Sequence, residues 1–446
     1  MFKRKALDEL LEWKRKWNGS SAALIEGARR VGKTTIAKTF ARMNYKSYIL
    51  IDFSNLTKEL REIFELISNL DLFFLRLQSH FQTRLFPRNS VIIFDEVQLY
   101  PSARQAIKHL VADGRYDYIE TGSLISIKKN VRGILIPSEE HKIEVFPMDY
   151  EEFCWATGID YELLKETVAL NAPLQATNRA LMRNFRIYMA VGGMPQAVDA
   201  YVRKKSFQEI DEAKREIISL YKKDFAKIDP SGRLVAIYES VPSQLSLKKN
   251  RFVLSKATGK RKTGKDESLL YDLLDSKTVL ACYRVTEPRA PLNLTKDFDS
   301  YKLYLSDVGL FTTMLFDSKK STEENVYDKL LSDKLSANLG YLYENAVAQM
   351  LKAAGLDLYY YSWKDAKKSK SYEIDFLLGD SSKAIPLEVK SSDVRNHSSI
   401  LAFSKKYSSF ISRMILLSQN DFGNDGMLEL KPIYSLPIIL DGLFRN

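Results

Sequence analysis

The sequence predicts an α/β protein: a parallel sheet, then a helical stretch, then a second α/β part. Three observations predict it. Short apolar runs alternate with helical segments over residues 22–146. Strand-like runs then vanish from about Met148 to Asp229. Two β-patterned runs separated by a turn return within residues 371–392. Alternation of the first kind gives a parallel sheet covered on both faces. At ~150 residues per domain, a chain of 446 residues has room for about three.

The composition narrows the class. Apolar residues are 45% of the chain and charged residues 28%, ordinary globular values. Lys and Arg number 67 against 56 Asp and Glu, a formal charge of +11, which favours polyanionic partners. No apolar run approaches the ~18 residues of a membrane span, so no membrane association is expected. The start, MFKRKALDELLEWKRKW, lacks the continuous apolar stretch of a secretory signal. Cys154 and Cys282 are the only cysteines, too few for a disulfide framework or a Cys-based zinc site. His80, His109, His141 and His397 form no metal-spaced pair. A reduced, cytoplasmic setting is the expectation.

Residues 1–17 pattern as an amphipathic helix with Leu7, Leu10, Leu11 and Trp17 on one face. Strands are expected at 22–26, 48–53, 91–95, 116–121 and 142–146, with a helix at 34–41. Gly192-Gly193-Met194-Pro195 interrupts the helical stretch. Further on, helices lead to strands at 279–285 and 300–305 with a Pro-containing loop between them. Helices followed by such a hairpin suggest a winged helix.

Gly27-Ala28-Arg29-Arg30-Val31-Gly32-Lys33-Thr34 matches G-x-x-x-x-G-K-[ST], with a buried strand before it and a helix after it, and Gly27 to Thr35 are the candidate nucleotide-binding residues. The glycines let backbone N–H groups curl around phosphate oxygens, and the helix N-terminus adds partial positive charge. Lys33 can reach the β- and γ-phosphates of ATP, and the Thr34 hydroxyl can ligate Mg²⁺. The third strand delivers Asp95 and Glu96 at its C-terminal end, the edge where ligands bind in open α/β sheets. Asp95 would hold Mg²⁺ through water, and Glu96 would act as general base on the attacking water. Thr121, ending the neighbouring strand, could touch the γ-phosphate or that water.

GARRVGKTT, IIFDEVQLYP, IETGS and VFPMDYEEF, spaced as here, resemble a family of AAA-type P-loop ATPases of bacteria and archaea. VGGMPQAV is similar to a Gly-Gly-x-Pro element of their helical lid. The resemblance covers roughly residues 1–230 and implies a 51432-type sheet, ATP with Mg²⁺, and Glu96 as catalytic base. Where many relatives carry Gly-Arg, this chain has Ile136-Pro137-Ser138-Glu139-Glu140-His141. An arginine sensing the γ-phosphate is therefore not assigned, and Arg104, Arg115 and Arg132 are the candidates. AAA-type ATPases often form rings, so a homo-oligomer is a further expectation.

Residues 248–265 hold eight Lys or Arg and no acid. They adjoin a helix expected from Thr263 to Ser276, packed through Leu269, Leu270, Leu273 and Leu274. Such a run can contact nucleic-acid phosphates. It can equally be a solvated face or meet an acidic protein partner.

In the C-terminal hairpin, Glu373 and Asp375 share one face by the period of two, as do Glu388 and Lys390. Glu344, on an upstream helix, is another acid. Carboxylates with a lysine suit metal-assisted phosphodiester cleavage. Asp375, Glu388 and Lys390, spaced D-x(12)-E-x-K, look like a PD-(D/E)XK nuclease core. That resemblance implies Glu344, Asp375 and Glu388 as metal ligands and Lys390 as the lysine orienting the nucleophile. It leaves open whether cleavage is retained. Tyr359-Tyr360-Tyr361 and Trp363 read either as a strand beside the hairpin or as bases' stacking partners.

The expected organisation is an AAA-type ATPase core (1–147), a helical lid (148–230), a winged-helix-like segment (231–315) and a PD-(D/E)XK-like domain (316–446). The expected function is Mg-ATP hydrolysis coupled to nucleic acid, DNA more than RNA. The alternative is an ATP-gated DNA- or protein-binding module with an inactive nuclease-like fold.

Overall fold

The computed structural model describes residues 2–122, 138–204, 206–247, 251–259, 264–316, 327, 330–332, 340–365, 370–391 and 397–444. Ser123, Arg132, Ile136, Pro137 and residues 248–250 and 260–263 of the basic run lie outside them. Contacts divide the chain into two compact units: Met1–Phe146 with Asp275–Lys277, and Pro147–Leu274 with Thr278–Asn446.

The first unit runs α1 (Ala6–Trp17), β1 (Ala22–Gly27), α2 (Lys33–Asn44), β2 (Ser47–Asp52), α3 (Lys58–Glu65), α4 (Leu70–His80), β3 (Ser90–Asp95), α5 (Pro101–Asp113), β4 (Asp117–Gly122) and β5 (Glu140–Val145). The sheet order is β2-β3-β4-β1-β5, with every pair parallel. Read from the other edge this is 5-1-4-3-2, the order the resemblance implies. Strands β1, β3 and β4 are buried along their whole length, which suits the apolar runs Ala22–Ile25 and Val91–Phe94, while β4 also buries Asp117, Glu120 and Thr121. Against β2 and β3 an aromatic core forms from Phe53, Phe64, Phe73 and Phe94.

One expectation about α1 is corrected. Its buried residues are Ala6, Leu10 and Trp13, while Leu11 and Trp17 are exposed. The 3.6-residue period puts 6, 10 and 13 on one line, and Trp13 packs on Phe40 of α2.

The second unit opens with helices α6 (Tyr150–Thr157), α7 (Tyr161–Ala169), α8 (Ala176–Val191), α9 (Pro195–Lys204) and α10 (Phe207–Ile228). Next come α11 (Arg233–Ser246), α12 (Leu254–Thr258), α13 (Gly264–Asp275), β6 (Val279–Val285), β7 (Lys296–Leu305) and α14 (Val308–Leu315). The chain ends with α15 (Gly340–Ala353), β8 (Leu358–Asp365), β9 (Lys370–Asp380), β10 (Lys383–Val389), α16 (Ser398–Tyr407), β11 (Met414–Ser418), β12 (Gly423–Asp425), β13 (Leu428–Pro432) and α17 (Leu436–Phe444).

One sheet runs β12-β13-β11-β10-β9-β8-β6-β7. The hairpin expected as a wing is therefore the end of a larger sheet. Its strand β6 pairs in parallel with β8, Cys282 to Leu358 and Arg284 to Tyr360. Tyr359, Tyr360 and Tyr361 are thus buried strand residues. The two sequence patterns 279–305 and 358–390 build one layer.

Between α8 and α9 the Gly-Gly pair meets α14. The Asp307 carboxylate accepts the Gly193 N–H at 2.5 Å and the Leu310 N–H at 2.8 Å. Met148 N–H donates to the Gly193 carbonyl at 2.7 Å. The Tyr188 hydroxyl (3.1 Å) and the Gln349 amide (3.2 Å) both donate to the Met148 carbonyl. A Cβ on Gly193 would sit 2.6 Å from Met148 N and 2.7 Å from its carbonyl carbon, both backbone atoms that cannot rotate away.

Gly193→Ala is therefore expected to destabilise the second unit by about 3 kcal/mol, the upper range of overpacking. Urea unfolding followed by tryptophan fluorescence and circular dichroism checks it.

Candidate nucleotide site and carboxylate–lysine site

The chain leaves buried β1 at Gly27, loops, and enters α2 at Lys33. Gly32 has φ +97° and Arg30 φ +71°. The left-handed turn at Gly32 is open to glycine without steric penalty. Ala28 and Val31 are buried, whereas Arg29, Arg30 and Thr35 face solvent. Arg4 anchors the loop, donating to the Val31 carbonyl at 2.8 Å and the Phe146 carbonyl at 2.7 Å. This anchor carries no motif, and a lone arginine before a helix gives no signal in the sequence.

Lys33 Nζ donates to the carbonyls of Gly27 and Ala28, each at 3.0 Å. Burial pushes its ammonium below the usual lysine range, opposed by the nearby Glu96 and Asp95 carboxylates. Asp95 gathers the other groups. Its Oδ1 accepts the Thr34 hydroxyl at 2.7 Å and the Thr121 hydroxyl at 2.5 Å. Thr121 Oγ1 in turn accepts the Glu96 N–H at 3.2 Å. The backbone of Glu96 is left-handed, φ 56° and ψ 45°. A non-glycine residue in that region is uncommon. Gln98, which the sequence reading passed over, donates its amide to the Glu96 carboxylate. Thr34, Asp95, Glu96 and Thr121 thus converge at the C-terminal edge of β3 and β4. A hydroxyl and a carboxylate in contact, beside an ammonium and a helix N-terminus, fit a magnesium–triphosphate pair.

Two arginine candidates are committed elsewhere. Arg104 makes a two-pronged bond to Glu140 at 2.9 and 2.7 Å, both side chains 3% exposed. Burial and Glu140 push the neighbouring Glu120 carboxyl well up. Arg115 binds Asp113 and Asp71 and lies over the Phe74 ring.

In the second unit, β9 and β10 are antiparallel with Phe376 opposite Leu387. Lys390 Nζ lies 2.7 Å from Glu388 Oε1, and Asp375 Oδ2 accepts the Val389 N–H at 2.8 Å. Those three residues come together as the hairpin predicts. Glu344 lies within electrostatic reach of Asp375 and Lys390, but its hydrogen bond and ion pair go to other groups. It accepts the Tyr304 hydroxyl at 3.2 Å and lies 3.8 Å from Lys302 Nζ. Lys302 also binds Glu373 Oε1 at 2.5 Å. Among the described residues no group of three or more His, Cys, Asp or Glu side chains is arranged to hold a metal. The carboxylates are instead shared between two lysines. Burial alone would lower the Lys302 ammonium, but Glu373, Tyr304 and Glu344 hold it well above the usual lysine range. Burial likewise raises Glu388, against the pull of Lys390. Lys302 was missed in the sequence, where its only signal is a cation sharing a face with Tyr304 in an otherwise apolar strand.

Residues 19–154 match the AAA domain family. This segment is an AAA-type P-loop domain. Such a domain binds nucleotide, and the Gly27–Thr34 loop lies inside it. Residues 182–321 and 339–436 match two domains of unknown function, DUF8612 and DUF4143. No curated protein matches the chain. Among solved structures the chain is similar to a Walker-type ATPase of Pyrococcus abyssi, with 17% identity, TM-score 0.44, and 70% of this chain and 96% of that one covered. It is also similar to Cdc6p from Pyrobaculum aerophilum, with 12% identity, TM-score 0.28, and 74% and 94% covered. A third is a STAND protein with a tetratricopeptide repeat sensor from Pyrococcus horikoshii, with 12% identity, TM-score 0.29, and 78% and 48% covered. Likeness at this level speaks to neither activity nor partner. Among the described residues no helix is long and apolar enough to cross a membrane.

Two outcomes follow for these sites. Arg104→Met leaves Glu140 buried without its counter-charge and is expected to destabilise the first unit by about 3–5 kcal/mol. Arg104→Met/Glu140→Gln recovers most of that loss in the same urea titration. Burial, opposed by Lys302, lifts the Glu344 carboxyl from 4.5 to about 7. The folded state then binds that proton more tightly than the unfolded chain. Its contribution to stability is full below about pH 4.5 and is lost as pH rises to about 7. Melting curves of Glu344→Gln against the parent are expected to shift in the variant's favour across that window and to level off above it.

Proposed function

We propose that the chain hydrolyses ATP in its first unit and uses the nucleotide state to control nucleic-acid binding, DNA rather than RNA, by its second. The observation that carries the ATPase reading is Asp95, which accepts hydroxyls from the phosphate loop (Thr34) and from β4 (Thr121) at once. Backbone N–H groups of the loop and the start of α2 bind phosphate oxygens. Lys33 exchanges the Gly27 and Ala28 carbonyls for the β- and γ-phosphates. Thr34 and Asp95 would hold Mg²⁺, which neutralises charge on the phosphates when bound. Glu96 takes the proton of the attacking water. Thr121 is a positioning residue, fixing Asp95 through its hydroxyl proton and Glu96 through its oxygen. Arg104 and Arg115 are engaged with carboxylates, which leaves Arg132 of this chain, or an arginine of a second copy in a homo-oligomer, to speed transfer.

For the second unit, Lys302 between Glu373 and Glu344 favours binding without cleavage. The β9–β10 hairpin keeps the spacing of a PD-(D/E)XK core, but Glu373 and Glu388 already pair with lysines and Asp375 accepts the Val389 N–H. Net positive charge and the basic run at 248–265 support a polyanionic ligand.

The test is ATP turnover and oligonucleotide binding on the same preparations. Lys33→Ala is expected to lose nucleotide binding. Glu96→Gln keeps nucleotide and loses roughly 10²–10⁴-fold in turnover. DNA affinity is expected to differ between the ATP-loaded Glu96→Gln protein and the nucleotide-free one, with the DNA left intact. Metal-dependent nicking abolished by Lys390→Ala would overturn binding without cleavage. Turnover and affinity indifferent to each other would point to a protein partner.

A further inference from the structure

On the second unit's sheet a cavity of about 400 Å³ opens beside the carboxylate–lysine site. Its walls carry three cations, Arg251, Arg284 and Lys364, and three hydroxyls, Ser300, Ser362 and Ser371. No carboxylate is among its described lining residues. The strand register explains this concentration. Along β8, Tyr360, Ser362 and Lys364 alternate onto one face. On that face Arg284 of β6 stands beside Tyr360, and Ser371 of β9 opposite Lys364. Among the described residues the Asp297 carboxylate meets this group, binding Arg284 at 2.7 Å and accepting a hydrogen bond from Ser300. Arg251 and Lys364 are exposed.

Guanidinium and ammonium groups interleaved with short hydroxyls match the oxygens of a phosphate. A guanidinium fork donates to both non-bridging oxygens of a phosphodiester at once, and serine hydroxyls turn to donate to the remaining lone pairs of the same oxygens. The surroundings say what carries the phosphate. Ser362 pairs in register with Glu373, so the cavity adjoins Lys302 and its acids on one sheet face. Arg251 belongs to the basic run that begins at residue 248. A polyanionic strand crossing this face would meet both.

We propose that this cavity is a phosphodiester-binding site that grips the backbone of a nucleic-acid strand and leads it past Glu373 towards Asp375 and Lys390. It rests on the nucleic-acid reading above and adds the place where the strand is held. The contacts are to phosphate, so the grip is independent of base sequence.

The experiment is fluorescence anisotropy of a labelled 20-nucleotide single strand and its duplex between 50 and 300 mM salt. It compares the full chain, Arg251→Gln/Lys364→Gln, and a control, Lys405→Gln/Lys406→Gln, at the exposed basic end of α16. The pocket variant is expected to bind about tenfold more weakly at low salt, with its log–log salt slope shallower by about 1.5–2. The control should stay within about twofold, and basal ATP turnover should be unchanged in both. Parent-like affinity and slope in the pocket variant would overturn the site while leaving the nucleic-acid reading standing. So would an equal loss in the control, which would mean diffuse charge attraction. A parent chain that binds neither oligonucleotide overturns both. Binding of adenosine monophosphate by calorimetry, lost in the pocket variant, with no oligonucleotide binding, overturns the strand in favour of a free nucleotide.

Discussion

The second unit depends on one carboxylate meeting one glycine amide. Asp307 caps α14 and, with its other oxygen, holds the Gly193 N–H. The contact exists because Gly192, Gly193 and Gly309 have no side chains to keep the backbones apart. Burial raises the Asp307 carboxyl, and the amides of Gly193 and Leu310 pull it back. A buried acid with its oxygens occupied in this way fixes geometry more than it adds energy. Through Met148, Tyr188 and Gln349 the same junction reaches α8 and α15. The helices after the AAA domain and the helix beneath the C-terminal sheet therefore keep a fixed spacing.

The two candidate sites manage charge in opposite ways. In the first unit an aspartate collects hydroxyls while the lysine rests on backbone carbonyls. Each of those groups has a weaker partner to surrender when phosphate and cation arrive. In the second unit the acids hold lysines at ion-pair distance. Displacing Lys302 would strand a buried charge, which is costly. The first arrangement is ready to exchange partners, and the second is already balanced.

The parallel sheet was legible mainly in β1 and β3, where burial on both faces gives unbroken apolar runs, whereas β4 buries Asp117, Glu120 and Thr121 among its apolar residues. The phosphate loop was legible because its chemistry fixes residue type and spacing together. Asp95, Glu96 and Thr121 followed from strand ends. The misread face of α1 turned on one residue, Trp13, which the 3.6 period favours over Trp17. Strand β7 starts at Lys296 rather than 300 because its first half is solvated and carries no apolar pattern. The β6–β8 pairing was not legible, since it joins segments more than 70 residues apart and registers in neither. Lys302 and Arg4 were invisible for the same reason: each acts through partners distant in sequence.

The shared sheet has a consequence for how such a chain can be inherited. The regions 182–321 and 339–436 match separate families, yet β6 and β7 come from one and β8 to β13 from the other. The pairing of β6 with β8 crosses that border. A recombination that transplanted either region alone would leave an unpaired strand edge on both products and would strip Val285 and Leu292 from the core that β8 to β13 build. The two must travel as one cassette, and a drifting substitution along β6 is answerable to a neighbour encoded beyond its own family's limits.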